Sequence, residues 1–221
     1  MMLKQMVLSI FLIGLISCLG VAQSRKLSPV DEGPKDPSFK AFRDRLMAGL
    51  KDENEMILYE SMDPKIMNSF GGEGGITEFN VQWKMSDEHP KVYAELTKIL
   101  SMGGSFINAG GTKSFCAPYV YSKFPDDLAS DSHAYAVITG TGVRVRAQPN
   151  LNAPILTTLS YDIVELDSTT GDSNTEWVKI IAPNGKKGYV FGQYIRRPTD
   201  YRACFEKKQG KWLMTALVAG D

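Results

Sequence analysis

The chain has 221 residues, enough for one ordinary domain or two small ones. Its 25 basic and 25 acidic residues cancel, so net charge indicates neither a nucleic acid nor an anionic membrane surface as partner. The hydrophobic and charged fractions, 43% and 23%, are those of a globular protein and exclude a chain that is disordered throughout.

Residues 1–22 have the pattern of a secretory signal peptide. Lys4 gives a positive start, and the apolar run from Met6 to Ser17 is too short to span a bilayer. The Gly-Val-Ala triplet ending at Ala22 fits ordinary signal-peptidase cleavage, whereas the Leu-Ile-Ser-Cys run ending at Cys18 resembles a bacterial lipoprotein box in which Cys18 carries the lipid. Both alternatives stay open. Either one predicts an extracytoplasmic protein, whether periplasmic, secreted or tethered to a membrane.

Residues 23–35 combine proline, glycine and scattered charge without periodicity, which predicts a flexible linker. Residues 36–134 then have mostly helical patterns. Asp36 followed by Pro37 is typical of a helix start, and we expect the same of Asp63 with Pro64, with that helix ending at the glycines after Phe70. The sequence therefore predicts a helix-rich α+β domain over this range.

The pattern changes after residue 105, and from Gly142 apolar and polar residues alternate in short runs broken by turns. Several short strands within about 60 residues predict a small β-barrel over 135–197. Residues 198–221 have the pattern of a hairpin. We hypothesise that this hairpin returns to the first domain and shares one core with residues 36–134.

Five segments of the predicted barrel, in order and at the usual spacing, resemble bacterial Src-homology-3-like (SH3-like) domains. They are Gly142–Pro149 (GVRVRAQP), Val164–Leu166, Trp177–Ile180, Gly185–Val190 and Tyr194-Ile195. The chain departs from the family at Arg144, where asparagine is frequent, and in the long polar loop over 168–176. The resemblance implies a ligand-binding module of cell-envelope proteins that recognises peptidoglycan peptides or a neighbouring domain.

Strand periodicity adds candidate ligand-binding residues to this resemblance. If the valines and isoleucines face inward, aromatic and basic side chains lie on the outer face or in nearby turns. The candidates are Trp177, Tyr189, Tyr161, Tyr194, Arg144 and Arg146. In the alternative interpretation, the aromatic rings pack against the helical part or close the ends of the barrel.

Two cysteines remain after residue 22, and Cys116 and Cys204 are either a disulfide or two buried thiols. Cys116 with His133 is the one conceivable thiol–imidazole pair, but no nucleophile motif surrounds it. The acidic residues before His133 fit no EF-hand loop, and the glycines after Phe70 lack the lysine of a phosphate loop. No catalytic residue, metal or cofactor is therefore predicted.

These observations predict a non-catalytic cell-envelope protein whose SH3-like barrel binds a peptide, peptidoglycan or a protein partner. Nucleic acid is not expected as a partner, and contact with a membrane is expected only through the lipid anchor. The alternative is an extracytoplasmic hydrolase, or an accessory subunit of a cell-wall enzyme, with its active site in the N-terminal domain.

Overall fold

The computed structural model describes residues 24–109, 111–167 and 176–220. They form a mixed α+β structure with two sheets, which confirms the α+β part of the predicted fold class. The predicted cleavage site at Ala22 and the lipid-bearing Cys18 lie outside the described residues. Across the described ranges, none of the helices combines the length and the apolar content needed to span a membrane.

The first sheet has five strands in the order β1-β12-β11-β3-β2. These strands are β1 (Met62–Met67), β2 (Ser105–Ala109), β3 (Thr112–Ala117), β11 (Arg202–Lys208) and β12 (Lys211–Val218). The accompanying helices are α1 (Pro37–Lys51), α2 (Glu55–Glu60), α3 (Gly75–Trp83), α4 (Lys91–Ser101) and α5 (Tyr119–Ser122). The apolar side chains of α1–α4 and of the sheet form one buried core, with Phe39 against Phe115 at a ring-centroid distance of 4.2 Å.

The predicted start of α1 is confirmed, because the Asp36 carboxylate accepts hydrogen bonds from the N–H groups of Ser38 and Phe39. The helix predicted to begin at Asp63 with Pro64 is wrong, since β1 occupies that position. Here β1 pairs in parallel with β12 at an irregular register, and a proline is tolerated on such an edge strand. Burial of the strand outweighs the local helix-start signal.

The last two strands return to the first sheet, where β11 lies between β12 and β3. Cys204 on β11 is directly opposite Cys116 on β3, and their sulfurs form a disulfide with a Cα–Cα distance of 4.2 Å. The disulfide therefore fastens the strand that follows the second sheet to a strand that precedes it.

The second sheet has seven strands in the order β10-β4-β7-β8-β9-β5-β6, and every pairing is antiparallel. They are β4 (Tyr135–Ile138), β5 (Val143–Arg146), β6 (Ile155–Leu159), β7 (Ile163–Leu166), β8 (Trp177–Ile181), β9 (Lys187–Phe191) and β10 (Ile195–Arg196). Alternating valines and isoleucines fill its core. In the described ranges the sheet ends at β10 and β6 and is not closed, so the predicted barrel closure is not confirmed.

Residues 24–35, predicted as a flexible linker, make specific contacts with both sheets. Lys26 forms an antiparallel bridge with Asp162, which precedes β7, and the Leu27 N–H donates to the Tyr161 carbonyl at 2.8 Å. Further along, the Glu32 N–H donates to the Gly104 carbonyl at 2.8 Å beside β2. We name residues 24–35 the N-terminal strap.

A small apolar cluster lies where the strap meets both sheets. It contains Tyr119 and Val120 of α5 with Val137 and Ile163 of the second sheet, and Leu27 of the strap packs against it. Burial raises the pKa of the Tyr119 hydroxyl to about 12. The two sheets are thus joined by packed apolar side chains as well as by the chain itself.

Candidate ligand-binding surface

Three aromatic side chains meet on the outer face of the hairpin made by β8 and β9. Trp177 is directly opposite Phe191 in the strand register, and their rings are 5.3 Å apart at an interplanar angle of 74°. Tyr194 follows β9, with its ring 6.4 Å from that of Phe191. Trp177 and Phe191 are half-buried and Tyr194 is 43% exposed. We name these three residues the aromatic cluster.

We name the five-stranded sheet, its helices α1–α5 and Tyr201, which packs on their core, the first unit. A cleft of about 890 Å³ lies between the second sheet and α4 of this unit. Phe191 lines this cleft and also belongs to the aromatic cluster, so the two features form one continuous surface. The opposite wall is formed by Glu95 and Lys98 of α4, and the connection between β10 and β11 adds Arg197 and Asp200.

One ion pair joins the two walls of the cleft. The Arg196 guanidinium on β10 donates to the Glu95 carboxylate on α4 at 3.2 Å, and the two side chains are 3% and 25% exposed. Arg196 also donates to the carbonyl of Tyr201. Since both acceptors belong to the first unit, Arg196 fixes the position of β10 relative to α4 and therefore the width of the cleft.

Four other charged side chains line the cleft without an ion pair within the described residues. They are Lys98, Glu176, Arg197 and Asp200. Asp200 accepts one hydrogen bond, from the backbone N–H of Arg197 at 2.9 Å. After Glu95 and Arg196 neutralise each other, two cations and two carboxylates remain in one cleft.

Residues 141–196 match the family model described as the bacterial SH3 domain. The chain contains a bacterial SH3-like domain. This confirms the resemblance drawn from the sequence, and such a domain is a binding module that often occurs in cell-wall-associated proteins. The match runs from just before β5 to β10 and so includes the aromatic cluster and Arg196, whereas Glu95, Lys98 and Arg197 lie outside it. A search of curated proteins found no match to the chain.

The other two predicted aromatic residues, Tyr189 and Tyr161, are not members of the aromatic cluster. Tyr189 is half-buried two residues before Phe191, opposite Lys179 of β8. Tyr161 lies in the turn before β7, where its hydroxyl accepts a hydrogen bond from Thr141 at 3.3 Å. Sequence reasoning missed Phe191, although the same two-residue period that selected Tyr189 also applies to it.

The two predicted arginines of β5 differ in accessibility. Arg144 is exposed, whereas Arg146 is only 8% exposed and its guanidinium donates to the Ala153 carbonyl at 2.7 Å. The pairing of β5 with β6 shifts register between Val145 and Arg146. Such a bulge breaks the alternation of side chains, so the prediction that Arg146 faces outward is wrong.

The disulfide removes the one thiol–imidazole pair that the sequence suggested. The Cys116 sulfur is bonded to Cys204 and is not a free nucleophile, while His133 is exposed on the surface. In the same loop, Arg25 of the strap pairs with Asp127 at 2.6 Å and lowers the pKa of that carboxyl. Among the described residues, no group of three His, Cys, Asp or Glu side chains is close enough to hold a metal.

Proposed function

We propose that this protein is a non-catalytic cell-envelope protein whose bacterial SH3-like domain binds the peptide part of peptidoglycan. The observation that carries the proposal is the aromatic cluster, which groups three rings on one side of a binding module, with Tyr194 the most exposed of them. Aromatic rings provide a large contact area at low entropic cost, and they are frequent among the residues that dominate binding energy.

In this proposal residues 135–197 are the binding domain, and residues 36–134 together with 198–221 are the unit that carries it. The five-stranded sheet supports the second assignment, because it combines strands from before and after the binding domain. The same unit holds the disulfide, which joins a strand that precedes the binding domain to the strand that follows it.

Several observations support a location outside the cytoplasm. Disulfides persist in oxidising compartments such as the periplasm, and Cys116 with Cys204 is such a bond. Residues 1–22 have the composition of a secretory signal peptide, with lipid attachment at Cys18 as the alternative to release after Ala22. A wall-binding protein needs this location, because its ligand lies outside the cytoplasmic membrane.

The test is co-sedimentation of the purified protein with purified peptidoglycan. The substitution Tyr194→Ala, and separately Trp177→Ala, should weaken binding at least about fivefold, since a central aromatic contact contributes more than about 1 kcal/mol. Phe70→Ala is the matched control, because Phe70 is 51% exposed but lies next to Arg202 of the first unit. Thermal unfolding of each variant separates loss of binding from loss of fold.

Two results would contradict the proposal. Native protein that stays in the supernatant at every peptidoglycan concentration lacks the proposed activity. Release of soluble wall fragments by the purified protein would instead support the hydrolase alternative.

A further inference from the structure

We propose that the cleft between the bacterial SH3-like domain and α4 completes the ligand site, and that it takes a short peptide carrying both a carboxylate and an ammonium group. This inference rests on the proposed function and adds to it the chemical class of the ligand. It also assigns part of the binding to residues that lie outside the bacterial SH3 domain.

The first argument is continuity. Phe191 contacts Trp177 in the aromatic cluster and also lines the cleft, and Gly192 extends the same wall. A peptide whose apolar side chain packs on Trp177 and Phe191 can therefore continue along Phe191 into the cleft. The volume of about 890 Å³ lies within the range of sites that enclose small ligands.

The second argument is charge. Lys98 and Arg197 are cations of the cleft, and Glu176 and Asp200 are its carboxylates. Among the residues described, none of the four has an ion-pair partner, and Asp200 accepts only a backbone hydrogen bond. Equal numbers of the two signs do not favour a purely acidic or a purely basic ligand. They are complementary to a ligand with both signs, which a peptide with a free carboxylate and a free amine provides.

The two cations have different roles in this site. The Arg197 guanidinium can hold a carboxylate through two parallel hydrogen bonds, whereas the Lys98 ammonium acts as a point charge on a flexible stem. Lys98 belongs to α4, so the first unit supplies a binding residue to the SH3-like domain. The ion pair between Arg196 and Glu95 is a positioning contact, because it holds α4 at the edge of the cleft.

The experiment uses the full chain and soluble peptide fragments released from purified peptidoglycan. One portion of the fragments keeps its carboxylates, and a second portion has them converted to amides. Binding is measured by calorimetry for the native protein and for the variants Lys98→Gln and Arg197→Gln. Lys51→Gln is the matched control, since Lys51 is also an exposed lysine of a helix but lies outside the cleft.

We expect each cleft variant to bind the intact fragments at least fivefold more weakly than native protein, while the control binds like native protein. We also expect native protein to bind the amidated fragments more weakly than the intact ones. The cleft variants should bind the amidated fragments with the same affinity as native protein does. Because Lys98 is exposed and Arg197 is only partly buried, thermal unfolding should be unchanged within a few degrees.

The possible failures are distinguishable. If native protein binds the fragments and Tyr194→Ala weakens this binding, but both cleft variants bind like native protein, the proposed function stands and the cleft inference is overturned. Equal binding of intact and amidated fragments also overturns it. If native protein binds neither fragments nor whole peptidoglycan, the proposed function itself fails.

Discussion

The disulfide between Cys116 and Cys204 should contribute several kcal/mol to stability, and the topology sets the amount. The bond spans 88 positions of sequence, and closing a loop of that length restricts the unfolded chain by about 4.6 kcal/mol in the chain-entropy model. However, the seven-stranded second sheet lies within this loop, and its strands β4 and β10 are adjacent, with Val137 opposite Arg196. If that sheet stays folded while the first unit unfolds, the effective loop is roughly 30 residues and the contribution is about 3.7 kcal/mol.

The measurement is equilibrium unfolding in guanidinium chloride, followed by tryptophan fluorescence, for oxidised and reduced protein. Trp83 and Trp212 report on the core of the first unit and Trp177 on the SH3-like domain. Reduction should lower the free energy of unfolding of the first unit by about 3.7 to 4.6 kcal/mol. The double variant Cys116→Ala/Cys204→Ala is the control and should not respond to reductant. A loss below about 1 kcal/mol in the native chain would refute the loop argument.

Three further predictions concern the first unit and its junction with the SH3-like domain. Phe39→Ala, which empties a fully buried ring site, should lower the unfolding free energy by about 3–5 kcal/mol in urea titrations. Glu95→Gln removes the charge that pairs with the buried Arg196 guanidinium and should cost about 1–3 kcal/mol in the same assay; no change would show that the pair is not stabilising. Hydrogen bonds lower the pKa of Asp36 and Asp63 below their ordinary value of 3.8, so their contribution is present above pH 3.8 and lost as pH falls through the lower folded values. The urea concentration at the unfolding midpoint, measured between pH 7 and pH 2, should therefore decrease once the pH is below about 4. A midpoint that does not change with pH would contradict this.

Sequence patterns predicted the features that depend on local order along the chain. The valines around Arg144, the run at Trp177 and the glycines before Tyr189 identify the SH3-like domain, because each has a fixed position in a short strand or in the turn before it. The capping carboxylate of Asp36 likewise defines the start of α1, since its hydrogen bonds reach only the next three residues.

Features that depend on strand pairing were not predictable in this way. Pro64 has the local signal of a helix start, but its segment pairs with β12 and forms a strand of the first sheet. Arg146 alternates correctly in sequence, but the bulge beside it turns its side chain inward. The first outcome is decided by β12, far away in the chain, and the second by the register of pairing with β6, the next strand. An alternation pattern contains neither of these.

The cleft illustrates the same limit for the candidate site. Lys98 and Arg197 are separated by about a hundred residues of sequence, and each reads as an ordinary surface cation. They line one cleft because the ion pair between Arg196 and Glu95 holds β10 next to α4. The sequence therefore predicted two of the three residues of the aromatic cluster, Trp177 and Tyr194. It did not predict the cleft, which forms only where the second sheet packs beside α4.

The N-terminal strap determines how close to a membrane the protein could work. Arg25 and Lys26 are already fixed against Asp127 and Asp162, and an extended chain covers at most about 3.6 Å per residue. A lipid attached at Cys18 would therefore keep Arg25 within roughly 25 Å of the bilayer, and the protein would reach into the wall only as far as its folded body extends beyond that point. Release after Ala22 would leave the same binding surface free to diffuse, so the choice of processing site decides which layer of the envelope the protein samples.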